Sequence, residues 1–366
     1  NGQYISNTPL ALEGYLLLNT TEFRYDENLD RYYIAGYRTN GDIFMLSPLT
    51  LNGTDLEDQA YIMAFNSEGT NIWLKEITSP SMFKDSRIYD LKIDNDSSLY
   101  LSGKYYINVP YGGVSYGDYA FPTVVEGNVP YVMKLNTSGA VQWMTTPSGY
   151  TTEIYTGSHH NHALVINGDE IGVATQATNE IWGNVSVNLP TNHRSDPGLL
   201  RLNKTTGTAI GFHLINGAPG YDDALTAITT DNDGNYVAGG YFYYQLFTNE
   251  NDNVPTLNKV LGETFGTDFF ITKLAAGPCG VPATTEVVRH NETKIYPNPA
   301  SETINIQCDV ALRSYQVLNL LGQVLLQGNF YESGNTISIA GISSGTYVVV
   351  VKTADDAFIT KKVIKE

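Results

Sequence analysis

Charged residues and cysteines are scarce in this sequence. Only 16% of its 366 residues are charged, and its two cysteines are Cys279 and Cys308. Two cysteines cannot make a disulfide framework. Cys279 lies in a linker with Gly and Pro, and Cys308 near the end of a predicted strand, so we do not expect them to be bonded. No run of about 18 apolar residues is present, so no helix spanning an inner membrane is predicted.

Basic residues are also few, 21 against 38 acidic ones, which gives a net charge of −17. Residues 295–366 hold five basic and six acidic residues, and the rest of the chain holds 16 and 32. An acidic body repels phosphates, which argues against nucleic acid and anionic lipid as partners. We interpret the acidity as solubility outside a cell. Because the chain begins at Asn1 with neither Met nor an apolar leader, we expect either a form that has lost its signal peptide or a fragment.

What the sequence has in abundance favours strands. It contains 26 Tyr, 34 Gly and 15 Pro, and 42% of its residues are hydrophobic. Tyr, Val, Ile and Thr favour β-strands, whereas Gly, Asn, Asp and Pro favour the turns between them. The composition therefore predicts an all-β fold with more than one domain.

Two pieces of sequence recur through 23–275. The first is a strand, an Asp- and Asn-rich turn and a second strand with Gly and aromatic residues; its copies lie at 32–37, 88–105, 163–174 and 227–242. The second piece begins at residues 61, 131, 199 and 269, at intervals of 70, 68 and 70 residues. Trp73, Trp143 and Phe212 follow its first three copies.

Each pair of pieces supplies two hairpins, and hence four strands. Four-stranded antiparallel sheets that repeat radially make a β-propeller. These segments resemble the β-propeller repeats of secreted bacterial proteins, and the resemblance implies blades with insertions at 110–127 and 179–195 on one face. Residues 1–22 are expected to be remnant strands of another blade, or strands that close the ring.

A segment without periodicity, 276–294, separates the repeats from the tail and is predicted to be a linker. Period-two alternation resumes in 295–366 and predicts about seven short strands in a small antiparallel β-sandwich. The run from Val348 to Val351 predicts a strand covered on both faces. Gly322 is expected to take the left-handed position of a hairpin.

The tail carries a set of motifs in a fixed order. They are Tyr296-Pro297-Asn298-Pro299-Ala300-Ser301, Gly322, Gly345 with Tyr347, and the basic end with Lys361 and Lys362. This pattern resembles the type A C-terminal sorting domain of type IX secretion cargo in the Bacteroidota. Asn319 and Glu366 depart from the usual Asp and basic residue of that family. The alternative interpretation is an accessory immunoglobulin-like spacer.

The resemblance implies export across the outer membrane to the cell surface or the medium. It implies that a PorV-type outer-membrane shuttle protein and the type IX translocon bind 295–366. It also implies that a surface sortase-type protease removes this domain, and we expect the cut within 276–294. Whether the product is released or attached to lipopolysaccharide is left open.

Chemistry-bearing motifs are weak. His159, His160 and His162 form the only histidine cluster, but no Glu stands at a zinc-site spacing, and a polar loop is the preferred interpretation. The segment beginning at Asp231 lacks the twelfth-position Glu of a calcium loop, because Phe242 stands there, and is predicted to be a hairpin turn. We therefore predict no metal site and no cofactor, and no catalytic motif is present.

Three functions remain for the repeats. The first is a non-catalytic adhesin that binds a glycan or a protein. The second is a polysaccharide lyase or hydrolase that uses carboxylates in the propeller mouth. Adjacent carboxylate pairs are present, for example Asp222-Asp223 and Asp355-Asp356, but adjacency in sequence does not show that two carboxylates face each other across a cleft. The third is a passive display scaffold. Aromatic residues offer a binding surface in two places, 111–121 and 241–244, although blade packing explains any single one of them.

Overall fold

The computed structural model describes most of the chain. The described residues are 3, 7–14, 22–38, 48–79, 85–107, 112–123, 126–150, 160–249, 254–260, 266–275, 294–308, 311–319, 323–330, 335–354 and 358–366. They divide into two compact units, 1–276 and 277–366. All of their regular elements are β-strands, so the predicted all-β class is confirmed. In these ranges no helix is long and apolar enough to cross a membrane.

The first unit contains 25 described strands. In chain order they are β1 (Leu12–Gly14), β2 (Glu22–Asp26), β3 (Arg31–Tyr37), β4 (Leu49–Leu51), β5 (Thr54–Asp55), β6 (Ala60–Asn66), β7 (Asn71–Thr78), β8 (Arg87–Ile93), β9 (Leu99–Ile107), β10 (Ser115–Tyr116), β11 (Tyr119–Ala120), β12 (Gly127–Leu135), β13 (Val141–Thr145), β14 (Gly149–Tyr150), β15 (His160–Asn167), β16 (Glu170–Ala177), β17 (Glu180–Trp182), β18 (Val185–Ser186), β19 (Asp196–Asn203), β20 (Ala209–Leu214), β21 (Ala224–Thr230), β22 (Tyr236–Phe242), β23 (Gln245–Leu246), β24 (Leu257–Asn258) and β25 (Asp268–Leu274).

Four antiparallel sheets follow one another along this unit. We number them sheet 1 (β2-β3-β6-β7), sheet 2 (β8-β9-β12-β13), sheet 3 (β15-β16-β19-β20) and sheet 4 (β21-β22-β25). Each is a meander in which neighbours in the chain are neighbours in the sheet. Apolar clusters join sheet 1 to sheet 2, sheet 2 to sheet 3 and sheet 3 to sheet 4. We call the face of a sheet that packs on the next sheet its trailing face, and the opposite face its leading face.

The β-bulges in the strand ladders also recur from one sheet to the next. The first strands of sheets 2, 3 and 4 carry a β-bulge at the same register position, between Ile88 and Asp90, Asn161 and Ala163, and Leu225 and Ala227. On the third strands, the residues that stand at one equivalent register position against the second strands are Tyr61, Tyr131, Gly198 and Phe270. The intervals are therefore 70, 67 and 72 residues, and the predicted starts at 199 and 269 were each displaced by one residue.

Glycine turns and tryptophans form the junctions between sheets. Gly139 and Gly207 close hairpins with φ values of 75° and 72°, a conformation that costs glycine little. The indole of Trp73 in sheet 1 lies against Gly139 in sheet 2, and the indole of Trp143 lies against Gly207 in sheet 3. Each indole N–H also donates to a carbonyl of the same turn, at 3.2 Å. The Gly and Trp of the repeat therefore serve packing between sheets.

The connections between second and third strands carry small hairpins. β10 and β11 pair with each other, and β10 also pairs with β7, so an insertion of the second repeat extends sheet 1. β17 pairs with β18 and with β14. Of the predicted strands in 1–22, β1 joins a small sheet with β4 and β5, and 15–21 lies outside the described residues. The described ranges contain no closed barrel or propeller, so the predicted radial closure is not confirmed.

The second unit contains the seven strands predicted for the tail. They are β26 (Lys294–Tyr296), β27 (Thr303–Gln307), β28 (Leu312–Leu318), β29 (Val324–Asn329), β30 (Thr336–Ser338), β31 (Gly345–Thr353) and β32 (Phe358–Lys365). A three-stranded sheet, β26-β27-β30, and a four-stranded sheet, β29-β28-β31-β32, share one apolar core that includes Ile304, Ile337 and Val349.

The valine run in β31 was predicted to be covered on both faces, and that prediction was wrong. Val349 and Val351 are buried, whereas Val348 and Val350 are only partly buried. In a strand, successive side chains point to opposite faces, and only one face of this sheet meets the core.

Candidate functional site

The side chain of Asn298 lies along the last strand of the second unit. Its Nδ2 donates to the carbonyl of Lys362 at 2.9 Å, and its Oδ1 accepts from the N–H of Ile364 at 2.8 Å. An amide side chain thus takes the place of a neighbouring strand. β32 is the outermost strand of its sheet, and exposed strand edges invite pairing with other chains. Asn298 occupies part of this edge.

The residues after Asn298 continue the contact. Ala300 forms a parallel bridge with Lys365; the Ala300 N–H donates to Ile364 at 2.9 Å, and the Glu366 N–H donates to Ala300 at 2.9 Å. The ammonium of Lys365 donates to the carbonyl of Ser301. The predicted motif at 296–301 and the C-terminal strand therefore form one surface, which we call the sorting edge.

Tyr347 has a clear structural role. Its ring is buried in the core of the second unit, and its hydroxyl donates to the carbonyl of Ser343 at 2.6 Å. Gly345 has no comparable structural role among the contacts of the described residues. A Cβ at Gly345 would lie 3.6 Å or more from the Tyr347 ring, which is ordinary van der Waals contact. Packing alone does not require glycine at this position.

Several residues of the sorting edge are exposed. Tyr296 is 50% exposed and Ile364 39%, and Lys361 and Lys362 are exposed as well. Pro297 and Pro299 flank Asn298 and are preceded by cis peptide bonds. The edge thus presents an aromatic ring, an aliphatic side chain and two cations at the end of the chain.

The hairpin between β28 and β29 is closed by a side chain. Asn319 Oδ1 accepts from the N–H of Gln323 at 3.0 Å, and the Asn319 N–H donates to the Gln323 carbonyl at 3.0 Å. Asn319, which departs from the usual Asp, thus provides the acceptor that Asp would provide. Gly322, predicted to be left-handed, lies outside the described residues.

The structure describes only part of the histidine cluster. His159 lies outside the described residues. His160 and His162 belong to β15, with His162 at the bulge, so the predicted polar loop is wrong for these two residues. Among the described residues, no group of three or more His, Cys, Asp or Glu side chains could hold a metal ion. The predicted turn at Asp231 is present, because Asp231 Oδ1 accepts from the N–H groups of Asp233 and Asn235.

One of the two predicted aromatic surfaces is core. Tyr116 and Phe121 are buried and Tyr119 packs against the same cluster, while Tyr111 lies outside the described residues. The physical reason is that the insertion folds back onto sheet 1 through β10, which covers its aromatic side chains.

The second aromatic surface is partly open. Phe242 is buried, but Tyr243 and Tyr244 are 38% and 55% exposed. Both rings are nearly parallel to that of Tyr221, at 16° and 17°, with centroids 6.0 and 5.9 Å away. We call Tyr221, Tyr243 and Tyr244 the tyrosine platform. Sequence reasoning missed Tyr221, which is remote from the other two residues and carries no motif.

Two buried carboxylates lie close to each other, and one of them bonds the backbone of Tyr243 in this platform. Asp196 and Asp223 are fully buried. Asp196 Oδ2 lies 2.8 Å from His193 Nδ1, and Asp223 Oδ1 accepts from the N–H of Tyr243 at 2.9 Å. The other oxygen of each has no hydrogen-bond partner in the described part of the chain, and both point to the space above Gly217.

This arrangement changes the ionisation of Asp223. Burial, together with the nearby Asp196 carboxylate, raises the pKa of Asp223 to about 7. Because Asp223 is enclosed and its neighbour Asp222 is held by the Ser195 hydroxyl at 3.1 Å, the adjacent pair does not face a cleft together. Asp355 and Asp356, the other adjacent pair, lie outside the described residues.

Comparison with known families addresses the tail. Residues 294–366 match the family of secretion system C-terminal sorting domains. This match supports export of the chain by the type IX secretion system. This signal indicates passage across the outer membrane, and it implies contact with the secretion machinery. The match covers the tail and leaves the activity of the first unit undefined.

Comparisons of the whole chain add little. No curated protein matches it. The extracellular domain of the two-component protein BT4673 from B. thetaiotaomicron is 11% identical, with 94% of this chain and 49% of that chain covered and a TM-score of 0.27. The extracellular domain of BT3049 from the same organism is 8% identical, with 98% and 58% covered and a TM-score of 0.16. Dimeric latent PorU from Porphyromonas gingivalis is 13% identical, with 97% and 33% covered and a TM-score of 0.15. The chain spans about half the length of the first of these, and such TM-scores do not establish a common fold.

Proposed function

We propose that the sorting edge is the surface by which a PorV-type outer-membrane shuttle protein and the type IX translocon bind this cargo. The observation that carries the proposal is the pairing of Asn298 with the backbone of Lys362 and Ile364. It joins the two ends of the motif, and it leaves Tyr296, Ile364 and two lysines available to a partner. Aromatic residues in a partly apolar patch are typical anchors of protein interfaces.

Export of variants tests this proposal. Deletion of 295–366 should leave the protein in the periplasm. The double variant K361E/K362E should reduce export and weaken binding to a purified shuttle protein, because it reverses two exposed charges without removing a core contact. K294E is the matched control, since Lys294 is also an exposed lysine on a strand of this unit. Equal export of the double variant and the control would contradict the proposed surface.

We propose that a surface sortase-type protease cuts within 276–294, the predicted linker between two compact units. Mass spectrometry of the protein from the culture medium would test this. A mature form that ends before residue 295 is the expected result. A mature form that retains 295–366 would contradict it.

For the first unit, we propose that the repeats are propeller-type blades and that they bind a glycan at the tyrosine platform. Three nearly parallel, exposed rings offer flat apolar faces to the C–H groups of a sugar ring. Asp222 follows Tyr221 in the chain, and its carboxylate lies 3.6 Å from Arg194. Both charged groups offer hydrogen bonds to hydroxyl groups. The net charge of −17 favours a neutral glycan over an anionic one.

Binding to a panel of neutral polysaccharides tests the glycan proposal. The double variant Y221A/Y244A of the full chain should lose binding. Y25A is the control, because Tyr25 is another tyrosine of similar exposure, 45%, outside the platform. Depolymerisation of a bound polysaccharide would favour the alternative function, a secreted lyase or hydrolase. Binding to no glycan or protein would favour a passive display scaffold.

A further inference from the structure

Sheet 4 differs from the three sheets before it. It has three described strands where the others have four, and β25 lies at its edge. Phe269 and Ile271 of β25 are 86% and 81% exposed, although both are large and apolar. Neighbouring apolar side chains this exposed are uncommon on soluble proteins and mark interaction surfaces.

Equivalent positions in the other sheets are covered. Ile271 pairs with Gly239 on the second strand of sheet 4. The residues at the same register position in sheets 1, 2 and 3 are Ile62, Val132 and Leu199. They pair with Ala35, Ser102 and Ala174 of their second strands. Those three residues are at most 1% exposed, because the next sheet packs on each trailing face. Sheet 4 therefore presents a trailing face that nothing among the described residues covers.

The leading face of sheet 1 is also partly exposed, at Phe23. Phe23 corresponds by register to Leu91 and Leu164, which are fully buried at the next two junctions. Phe23 is 54% exposed and stacks on Tyr32, with ring centroids 5.7 Å apart. The sheet made of β1, β4 and β5 covers the part of this face around Ile34 and Met63 and leaves Phe23 open.

The internal junctions show which kind of surface fits each open face. In all three, a trailing aliphatic residue and a leading apolar residue share one cluster: Ile62 with Leu91, Val132 with Leu164, and Leu199 with Ile228. A trailing face therefore meets a leading face each time. The first unit keeps one open example of each, at opposite ends of its series of sheets.

We propose that a second copy of this chain docks head to tail, with the Phe23 face of one copy on the Ile271 face of the other. Such a contact joins two different surfaces, so it is heterologous and either closes into a ring or continues into a longer assembly. The occupant is a second copy because the chain itself carries a leading face of the matching pattern.

Two single variants of the full chain, F23E and I271K, test the proposal by sedimentation velocity. Each places a charge in one face and leaves the other face intact, and an unpaired charge opposes burial. The wild type is expected to associate as its concentration rises, and each variant alone is expected to lose association. An equimolar mixture should regain association, because the intact trailing face of F23E meets the intact leading face of I271K.

Controls separate this result from misfolding and from other geometries. F269K should behave as I271K does, so a folding defect in one variant leaves the other informative. V324K, at a 45% exposed valine of the second unit, should associate like the wild type. Association of F23E alone would show a tail-to-tail contact and overturn the proposal. A wild type that stays monomeric at all concentrations, or a mixture that does not associate, would also overturn it.

Discussion

The side-chain oxygen of Asn298 accepts a hydrogen bond from the backbone N–H of Ile364 at 2.8 Å, across 66 residues of sequence. The same side chain donates to Lys362 on the same strand edge. The motif at 296–301 and the C-terminal strand therefore hold each other in position.

Replacing Asn298 with Ala should release the edge of β32. Both hydrogen bonds are lost, so the Ile364 amide should exchange with solvent faster, and the free energy of unfolding of this unit should fall by about 1 kcal/mol. Hydrogen-exchange mass spectrometry of the full chain measures the first effect and denaturant unfolding the second. N298D keeps an acceptor for Ile364 and should lie between wild type and N298A.

Asn329 provides the control for this experiment. It is an exposed asparagine at the end of another strand of the same sheet. N329A should leave the exchange of the Ile364 amide unchanged. Unchanged exchange in N298A as well would mean that the side-chain pairing does not hold the strand in solution.

Substitutions at Tyr347 and Gly345 should have unequal effects, although both belong to the same motif. Y347F removes the hydrogen bond to Ser343 from a buried ring and should lower the free energy of unfolding by about 1 kcal/mol. G345A adds a methyl group at ordinary contact distance and should change it by less. Y296F, at an exposed tyrosine, is the control for loss of a hydroxyl. A larger loss in G345A than in Y347F would refute this assignment.

Gly207 should tolerate Ala less well than Gly168 does. Both have positive φ, 72° and 59°, and both lie in hairpins of sheet 3, so both variants carry a backbone penalty of about 1 kcal/mol. A Cβ at Gly207 would also lie 2.5 Å from the Trp143 ring, whereas a Cβ at Gly168 meets nothing within 4 Å. Thermal unfolding of the two variants should show the larger loss for G207A, and equal losses would contradict the proposed junction.

Asp223 should make stability depend on pH. Its pKa is raised to about 7 in the folded state, so folding disfavours the ionised form. Its contribution to stability is present below about pH 4, falls as pH rises, and is lost above about pH 7. D223N removes the charge and should be more stable than wild type at pH 8, by on the order of 4 kcal/mol at about 1.4 kcal/mol per pKa unit.

Below pH 4 the same variant should differ little from wild type. D222N is the control, because Asp222 is the partly exposed neighbour and is held by Ser195. Denaturant unfolding at several pH values measures the difference between each variant and wild type. A difference for D223N that does not grow with pH would contradict the burial of an ionisable pair.

The repeat was visible in the sequence because Asn, Asp and Gly stand where the chain must turn. Asn66, Asn136 and Asn203 each accept backbone N–H bonds within their hairpins, as turn chemistry predicts. The register of the strands was harder to predict from the sequence. β6 is buried on both faces over nearly its whole length, so hydrophobic alternation does not fix which residue faces which sheet. The ladder hydrogen bonds fix it, and they shift two of the predicted starts by one residue.

In the tail, the sequence pattern singled out the motif residues but did not separate their roles. Gly345 and Tyr347 are separated by one residue in the pattern, yet only Tyr347 makes a hydrogen bond that its side chain alone can provide. For the tyrosine platform, the sequence pointed to only part of the set. Tyr243 and Tyr244 were candidates, but their partner Tyr221 is brought to them by the connection before β21.

By itself, the sequence determined the all-β class, the places of the turns, the repeat and the export tail, because these depend on local sterics, strand alternation and short motifs. Only the tertiary structure decided which apolar side chains are covered, why the pKa of Asp223 is raised, and that Asn298 pairs with β32. These depend on groups far apart in the chain, whose burial and hydrogen bonds exist only once the sheets have packed.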